Sequence, residues 1–300
     1  MKKTLVILAG PTAVGKTGCG IRIARQLGTE IISADSRQIY HETTIGTAVP
    51  SQDELALVPH HFIQTNSVKE SYNASIYEHE VMDRLTLLFG KCDKVLMVGG
   101  SGLYIDAVSN GIDDFPSTDP DLRIFLRKRF EEEGLEPMIQ ELLKIDPMSY
   151  NRVDLKNPMR VLKALEVSFQ TGTPYSSFLS DTPKKRPFNI LRIGLDMERA
   201  MLYDRINQRV LKMMESGLLD EVEHLADLRG YSAMKTLGYR ELFTYIDGEI
   251  ALDEAVDMIK RNTRKFARKQ LTWFRKENLY SWFLPDDTDG ILHWIDKNRI

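Results

Sequence analysis

An α/β fold, a parallel sheet core interrupted by a run of helices, follows from three observations in the 300-residue sequence. A continuous apolar run at 4–9 marks a strand buried on both faces, and 30–34, 94–98 and 190–195 read as further strands. Segments of helical periodicity separate them, which implies right-handed crossovers between parallel strands. From 115 to 172 the strand signal disappears and only helices remain.

Thr4 to Ala9 forms the first expected strand, followed by a glycine-rich turn and a helix from Lys16 to Leu27. Glu30 to Ala34 and Lys94 to Val98 are the second and third strands, with a helix from Ala74 to Phe89 between them. The turn Gly99-Gly100-Ser101-Gly102 leads into a short helix through Val108. The breaker cluster Phe115 to Pro120 then offers Thr118 or Asp119 as an N-cap. Helices are expected at Asp121–Glu133, Leu135–Ile145 and Asn157–Thr171, until a second breaker run from Ser180 to Pro187. The sequence thus predicts a core of residues 1–114 and 189–300, and a helical insertion over 115–188. Ile190 to Leu195 resumes the sheet, and Tyr280 to Leu284 reads as an edge strand.

Composition narrows the class without naming a partner. A net charge of −3 gives no global sign of nucleic acid, so any such site must come from local clustering. Cys19 and Cys92 form no Cys-x-x-Cys pair and no disulfide framework, which fits a reduced compartment. The apolar stretch after Met1-Lys2-Lys3 is cut by Gly10-Pro11-Thr12, too soon for a leader peptide. No stretch approaches the ~20 apolar residues of a membrane helix. A soluble, cytoplasmic protein with no membrane association is expected.

Gly10-Pro11-Thr12-Ala13-Val14-Gly15-Lys16-Thr17 is the full Gly-x4-Gly-Lys-Thr pattern, set between a strand and a helix. Its backbone amides and the helix N-terminus make an anion cradle. Lys16 adds a point charge, and the Thr17 hydroxyl can hold Mg²⁺. The core is therefore expected to be P-loop NTPase-like, with a phosphate-bearing ligand. Asp35 follows the second strand, at the sheet end where ligands bind. It reads equally as a Mg²⁺ ligand or a general base, with a helix cap as the third alternative. The third strand ends in Val98-Gly99-Gly100 with no acid, which weakens an ordinary ATPase reading.

From Lys260 to Lys276 there are eight Lys/Arg and no Asp/Glu. Lys260, Arg264 and Arg268 share one helical face, and Arg261, Lys265 and Lys269 the next. Phe266, Trp273 and Phe274 are expected on the buried side, with stacking as a further use. Solvated helices normally mix signs, so this segment points to a polyanion backbone. Arg160 and Lys163 lie off the apolar stripe of Val161, Leu162, Leu165 and Val167, free to meet a ligand. His60 and His61 point to opposite sides of an extended segment and cannot share one metal ion. Packing or hydrogen bonding is their expected use.

Together these stretches resemble the tRNA dimethylallyltransferase (tRNA isopentenyltransferase) family, from about Leu5 to Glu277. The likeness runs through Gly10–Thr17, Asp35–Tyr40, Gly46-Thr47-Ala48-x-Pro50, Pro59–Ile63, and Val98–Tyr104. It continues through Arg160 with Ala164–Val167, Met214–Val222, Leu237–Leu242, and Thr263–Arg275. The resemblance implies a dimethylallyl diphosphate donor, and an acceptor at N6 of the adenosine just 3′ of the tRNA anticodon. It implies that the helical insertion clamps the anticodon stem–loop. Asp35 then corresponds to the base and Ser101 to its partner near the amine. Contacts to tRNA are implied for Ser36, Arg37, Gln38, Arg123, Met159, Arg160, Val161, Leu162 and Lys163. The same holds for Lys235, Thr236, Leu237, Gly238, Tyr239, Arg240, Arg268, Lys269, Gln270, Trp273 and Arg275. Arg209, with Arg205 one turn before it, could reach the departing diphosphate. Val49 stands where the family usually has Lys, and Ser101 where Thr is common. A monomer is the expected state. Rival readings are a small-molecule kinase, an enzyme prenylating free adenine nucleotides, and an RNA-binding switch driven by nucleotide.

Overall fold

The computed structural model describes residues 2–113, 115–116, 119–180, 182–276 and 278–298. Its elements run β1 Thr4–Ala9, α1 Lys16–Leu27, β2 Ile31–Ala34, α2 Gln52–Leu57, β3 His60–His61, α3 Ala74–Phe89, β4 Lys94–Gly99 and α4 Gly102–Asn110. Then come α5 Pro120–Glu133, α6 Leu135–Ile145, α7 Pro147–Arg152 and α8 Pro158–Thr171. The chain ends through β5 Asn189–Leu195, α9 Arg199–Glu215, α10 Leu218–His224, α11 Tyr239–Ile246, α12 Leu252–Arg275, β6 Ser281–Phe283 and α13 Thr288–Lys297.

Two compact units result, Met1–Asn110 with Lys185–Ile300, and Gly111–Lys184. They divide at 111 and 185 rather than at 115 and 189. Gly111 at φ +83° ends α4 before the proline-rich cluster is reached.

In the larger unit six parallel strands lie in the order β3-β2-β4-β1-β5-β6. β1 is central, and Leu5 to Ala9 are wholly buried, as its unbroken apolar run requires. The register matters most for the site. Ala9 pairs with Gly99, and Gly99 with Ala34, so three strands finish at one level. The loops they release carry residues 10–17, Asp35 and Ser101 out of the same end of the sheet. Gly99 cannot carry a side chain there, because a Cβ would lie 2.1 Å from the Ala34 carbonyl oxygen.

A second apolar cluster in this unit gathers Ile39, Tyr40, Leu218, Val222, Tyr239, Leu242 and Ile259 beneath the loops. Tyr280–Leu284 proves to be the edge strand β6, trimmed to three residues.

The smaller unit packs α5, α6 and α8 around Leu126, Met138, Leu142, Val161, Leu162 and Leu165. Asp119 caps α5, accepting from the amides of Asp121 at 2.9 Å and Leu122 at 3.4 Å. Thr118, the alternative cap, lies outside the described residues, as do Ser117, Asp181 and Glu277. Asp146, nearly fully buried, accepts four bonds: Ser149 N–H at 3.0 Å, Ser149 O–H at 2.6 Å, and Ser176 N–H and O–H both at 2.7 Å. Burial would raise its carboxyl, but these donors outweigh burial and hold it below the usual value. Asp146→Ala should therefore cost about 2–4 kcal/mol, since it strands buried donors. Hydrogen exchange checks this: the Ser149 and Ser176 amides should exchange faster while β1 keeps its protection.

Candidate active site

The cradle is built by the chain's own backbone constraints. Gly15 sits at φ +105°, a conformation other residues rarely adopt, and turns the chain into α1. No acidic residue occupies the first turn of α1, so its free amides face an anion unopposed. Lys16 donates to the carbonyls of Gly10 at 3.0 Å and Pro11 at 2.7 Å. Burial pulls its ammonium down to about 8; Asp35 opposes this, and Arg209 adds to it. The Thr17 hydroxyl lines the cavity and has no hydrogen-bond partner among the described residues.

Asp35 closes the turn after β2, its Oδ1 accepting from Arg37 N–H at 2.9 Å and Gln38 N–H at 3.4 Å. No helix begins here, so the helix-cap alternative is not met: one oxygen closes a turn over residues 36–39, and the other has no hydrogen-bond partner among the described residues. Ser101 Oγ accepts from Ser36 N–H at 2.9 Å and donates to Ser36 Oγ at 3.1 Å. Ser101 therefore grips the Asp35 loop through Ser36, and the described residues show no direct bond between Ser101 and Asp35.

Arg205 and Arg209 come from α9. The Arg205 guanidinium lies 3.4 Å from where a Cβ on Gly15 would stand, beside the cradle. Burial holds Arg209 below its ordinary value, against the pull of the Asp35 carboxylate. Lys16, Arg205 and Arg209 thus give the floor a concentrated positive charge.

Two side chains that sequence reasoning left without this role, buried Gln270 and half-buried Glu221, fix the loops. Gln270 of α12 accepts from Thr12 N–H at 2.9 Å and donates to the Gly100 carbonyl at 2.8 Å, tying the cradle to the loop after β4. Glu221 of α10 accepts from the amides of Thr44 at 3.1 Å, Ile45 at 2.8 Å and Gly46 at 3.0 Å, and from Tyr239 O–H at 2.6 Å. The loop so held presents the carbonyls of Thr47 and Ala48 to Gln38 Nε2, at 3.2 and 2.8 Å. Glu221 lies inside the Met214–Val222 stretch, and that was its only signal. Val49 and Pro50 line the cavity beyond this loop.

The cleft is open on one side and measures about 1880 Å³. Small-ligand pockets are about 300–1,000 Å³, so a diphosphate donor and a nucleobase can both enter. Lys235, Thr236, Leu237, Lys269 and Trp273 stand at its wall, with Ser36, Arg37 and Gln38. Arg261, Lys265, Arg268 and Lys269 are exposed along α12. Phe274 is buried, but Phe266 and Trp273 are 42% and 46% exposed, which corrects their expected burial. Trp273 Nε1 donates to Asp106 at 2.9 Å, fixing the ring at the rim.

Five residues expected at an RNA surface are interior. Tyr239 is fully buried with its hydroxyl on Glu221, and Gln270 is spent on the loops. Val161 and Leu162 belong to the core of the smaller unit, because they form the apolar stripe of α8. Gly238 is buried as well, contributing backbone only. Several cations are already paired: Arg240 with Glu241 at 2.6 Å, Arg275 with Asp196, and Arg123 with Glu166 in two bonds of 3.0 Å. Lys163 meets the same Glu166 at 3.1 Å, while Met159 and Arg160 are exposed. His60 Nδ1 pairs with the Val58 carbonyl at 2.8 Å, and His61 Nε2 with Glu30 at 2.7 Å.

The IPP transferase family model matches residues 38–277. A Bacteroides thetaiotaomicron protein, tRNA dimethylallyltransferase 1, is 47% identical over 97% of this chain and 95% of its own length. Porphyromonas gingivalis tRNA dimethylallyltransferase 2 is 48% identical over 96% of both. The solved tRNA isopentenylpyrophosphate transferase of Bacillus halodurans superposes with TM-score 0.72 at 36% identity, covering 99% of this chain and 96% of that one. A eukaryotic dimethylallyltransferase, solved acting on tRNA, shares the fold with TM-score 0.84 at 22% identity, over 99% of this chain and 81% of that one. A family match over most of the chain, with near full-length relatives at almost half identity, leaves one placement: the chain belongs to the IPP transferase family.

Proposed function

We infer that the chain is a tRNA-modifying prenyltransferase that moves a dimethylallyl group from dimethylallyl diphosphate to N6 of the adenosine 3′ of the anticodon. The observation that carries this is the meeting, in one large cavity, of an anion cradle with a carboxylate that keeps one oxygen unpaired.

An exocyclic amine is a poor nucleophile because its lone pair is delocalised into the ring. In this reading the N6 lone pair attacks the allylic carbon, and the carbon–oxygen bond breaks with its electron pair leaving on diphosphate. The N6 proton passes to the open oxygen of Asp35. Charge developing on diphosphate meets the cradle amides, Lys16, Arg205 and Arg209. Ser101 positions the Asp35 loop through Ser36. The unpartnered Thr17 hydroxyl beside the cradle suits Mg²⁺, which takes few protein ligands and completes its shell with phosphate oxygen and water. Bound there through Thr17, the ion would supply positive charge to the leaving group.

The exposed cations of α12 support a phosphate-backbone seat, and Phe266 and Trp273 offer stacking faces. Ser36, Arg37, Gln38, Lys235, Thr236 and Leu237 are assigned to RNA contact at the cavity wall. In the smaller unit, Arg123, Met159, Arg160 and Lys163 are assigned to the anticodon stem. No helix among the described residues is long and apolar enough to cross a membrane, and we place the enzyme in the cytoplasm as a monomer.

Incubation with labelled dimethylallyl diphosphate and unmodified tRNA should add one prenyl mass to adenosine in the digest. Label on AMP but not on tRNA, or consumption of ATP alone, would favour the rival readings. Asp35→Asn keeps an oxygen for the Arg37 amide but loses the base. Turnover should fall about 10²–10⁴-fold while tRNA affinity changes little; parallel loss of both would show that Asp35 is structural. Lys16 generates the pH prediction. Donor binding should be strongest where the ammonium is charged and weaken as pH rises through about 8. Bound diphosphate raises that value again, so calorimetry at higher pH should show proton uptake on binding. Affinity constant from pH 7 to 9.5 would remove Lys16 from the cradle.

A further inference from the structure

Tyr104 lies in the first turn of α4, three residues after Ser101, and is 6% exposed. Its ring stacks on Tyr77 with centroids 4.2 Å apart and planes 24° from parallel. Tyr77 is itself immobile, wholly buried, with its hydroxyl on the Ser33 carbonyl at 2.8 Å and Phe62 against its edge. The Tyr104 ring is therefore held at the cavity wall, which it lines.

Tyr72 donates to Glu80 at 2.6 Å and Tyr77 to Ser33, while the Tyr40 hydroxyl, without a hydrogen-bond partner among the described residues, does not line the cavity. The Tyr104 hydroxyl has no hydrogen-bond partner among the described residues. The residue lines the cavity and its hydroxyl oxygen keeps access to it, so a ligand there can supply the missing partner. Asp35 and Arg37 are among its electrostatic neighbours, so the phenol belongs to the Asp35 end of the cavity. Burial pushes the phenol up, which keeps its proton in place at working pH.

What meets it follows from the chemistry of the two substrates. The allylic tail is apolar and accepts nothing. Diphosphate already has the cradle amides, Lys16 and two arginines. Adenine, with its amine on Asp35, places ring nitrogens on either side of that amine, N1 and N7, and both are acceptors. We propose that Tyr104 is a specificity-determining residue whose phenol donates to a ring nitrogen flanking N6 of the acceptor adenine, forming with Asp35 a donor–acceptor pair for that base. This rests on the reaction assigned above. Guanine in the same pose would turn its O6 toward the carboxylate, acceptor against acceptor.

Tyr104→Phe keeps the ring and the stack and removes only the donor. On an adenosine transcript kcat/KM should fall about 3–10-fold, the worth of one neutral hydrogen bond, with donor affinity unchanged. Wild-type protein should lose a similar factor on a transcript carrying either 1-deazaadenosine or 7-deazaadenosine at the target. On that one analogue Tyr104→Phe should bring no further loss, which names the nitrogen contacted. Equal loss by the variant on all three transcripts, or none on adenosine, overturns the contact while the reaction stands. Wild-type activity untouched by both analogues overturns it without recourse to the variant. Failure of wild type to prenylate the adenosine transcript overturns reaction and contact together.

Discussion

The level ending of three strands is the constraint on which the site depends. Gly99 is paired with Ala9 on one side and Ala34 on the other, and no side chain fits between it and β2. A shift of one residue in either pairing would move a loop by a strand rise of about 3.3 Å and turn its side chains to the opposite face. The cradle, Asp35 and Ser101 are therefore set at one height by sheet geometry before any of them makes a contact.

Height alone leaves the loops free to swing, and polar side chains remove that freedom. Gln270 spans from Thr12 to Gly100, and Ser101 holds Ser36 by two bonds. Glu221 gathers three amides and a phenol, then Gln38 hangs from the carbonyls of the loop it holds. Gln270, which is buried, would be a liability if left unmatched, and both ends of its amide are matched by loop backbone. The loops around the cradle are thus fixed by side chains on other elements before any ligand arrives.

Strands β1, β2, β4 and β5 were legible to within a residue or two because buried apolar residues dominate each, and β6 showed as a late apolar segment although it is only half-buried. The two-residue β3 and the six-residue helices α2 and α7 were not legible, being too short for periodicity to show, though Ser51 and Glu54 spell a capping box at α2. The cradle was legible because it is one continuous stretch of chain. The bond between Thr12 and Gln270 joins residues 258 apart, and no local pattern announces it. Tyr239, Val161 and Leu162 were placed at an RNA surface because whole stretches were carried over from a family likeness. A helix shows only one side to a partner, so every such stretch contains residues that serve the interior.

The Glu221 clamp reads backbone, not side chains. Its three amide contacts would survive replacement of Thr44 or Ile45 by most other residues, whereas Gly46 has the Tyr239 ring within 2.5 Å of any added Cβ. Lineages of this enzyme should thus drift in letter at the first two positions while glycine, glutamate and tyrosine hold together as a set. A wall built in this way can change what it presents to the substrate without moving.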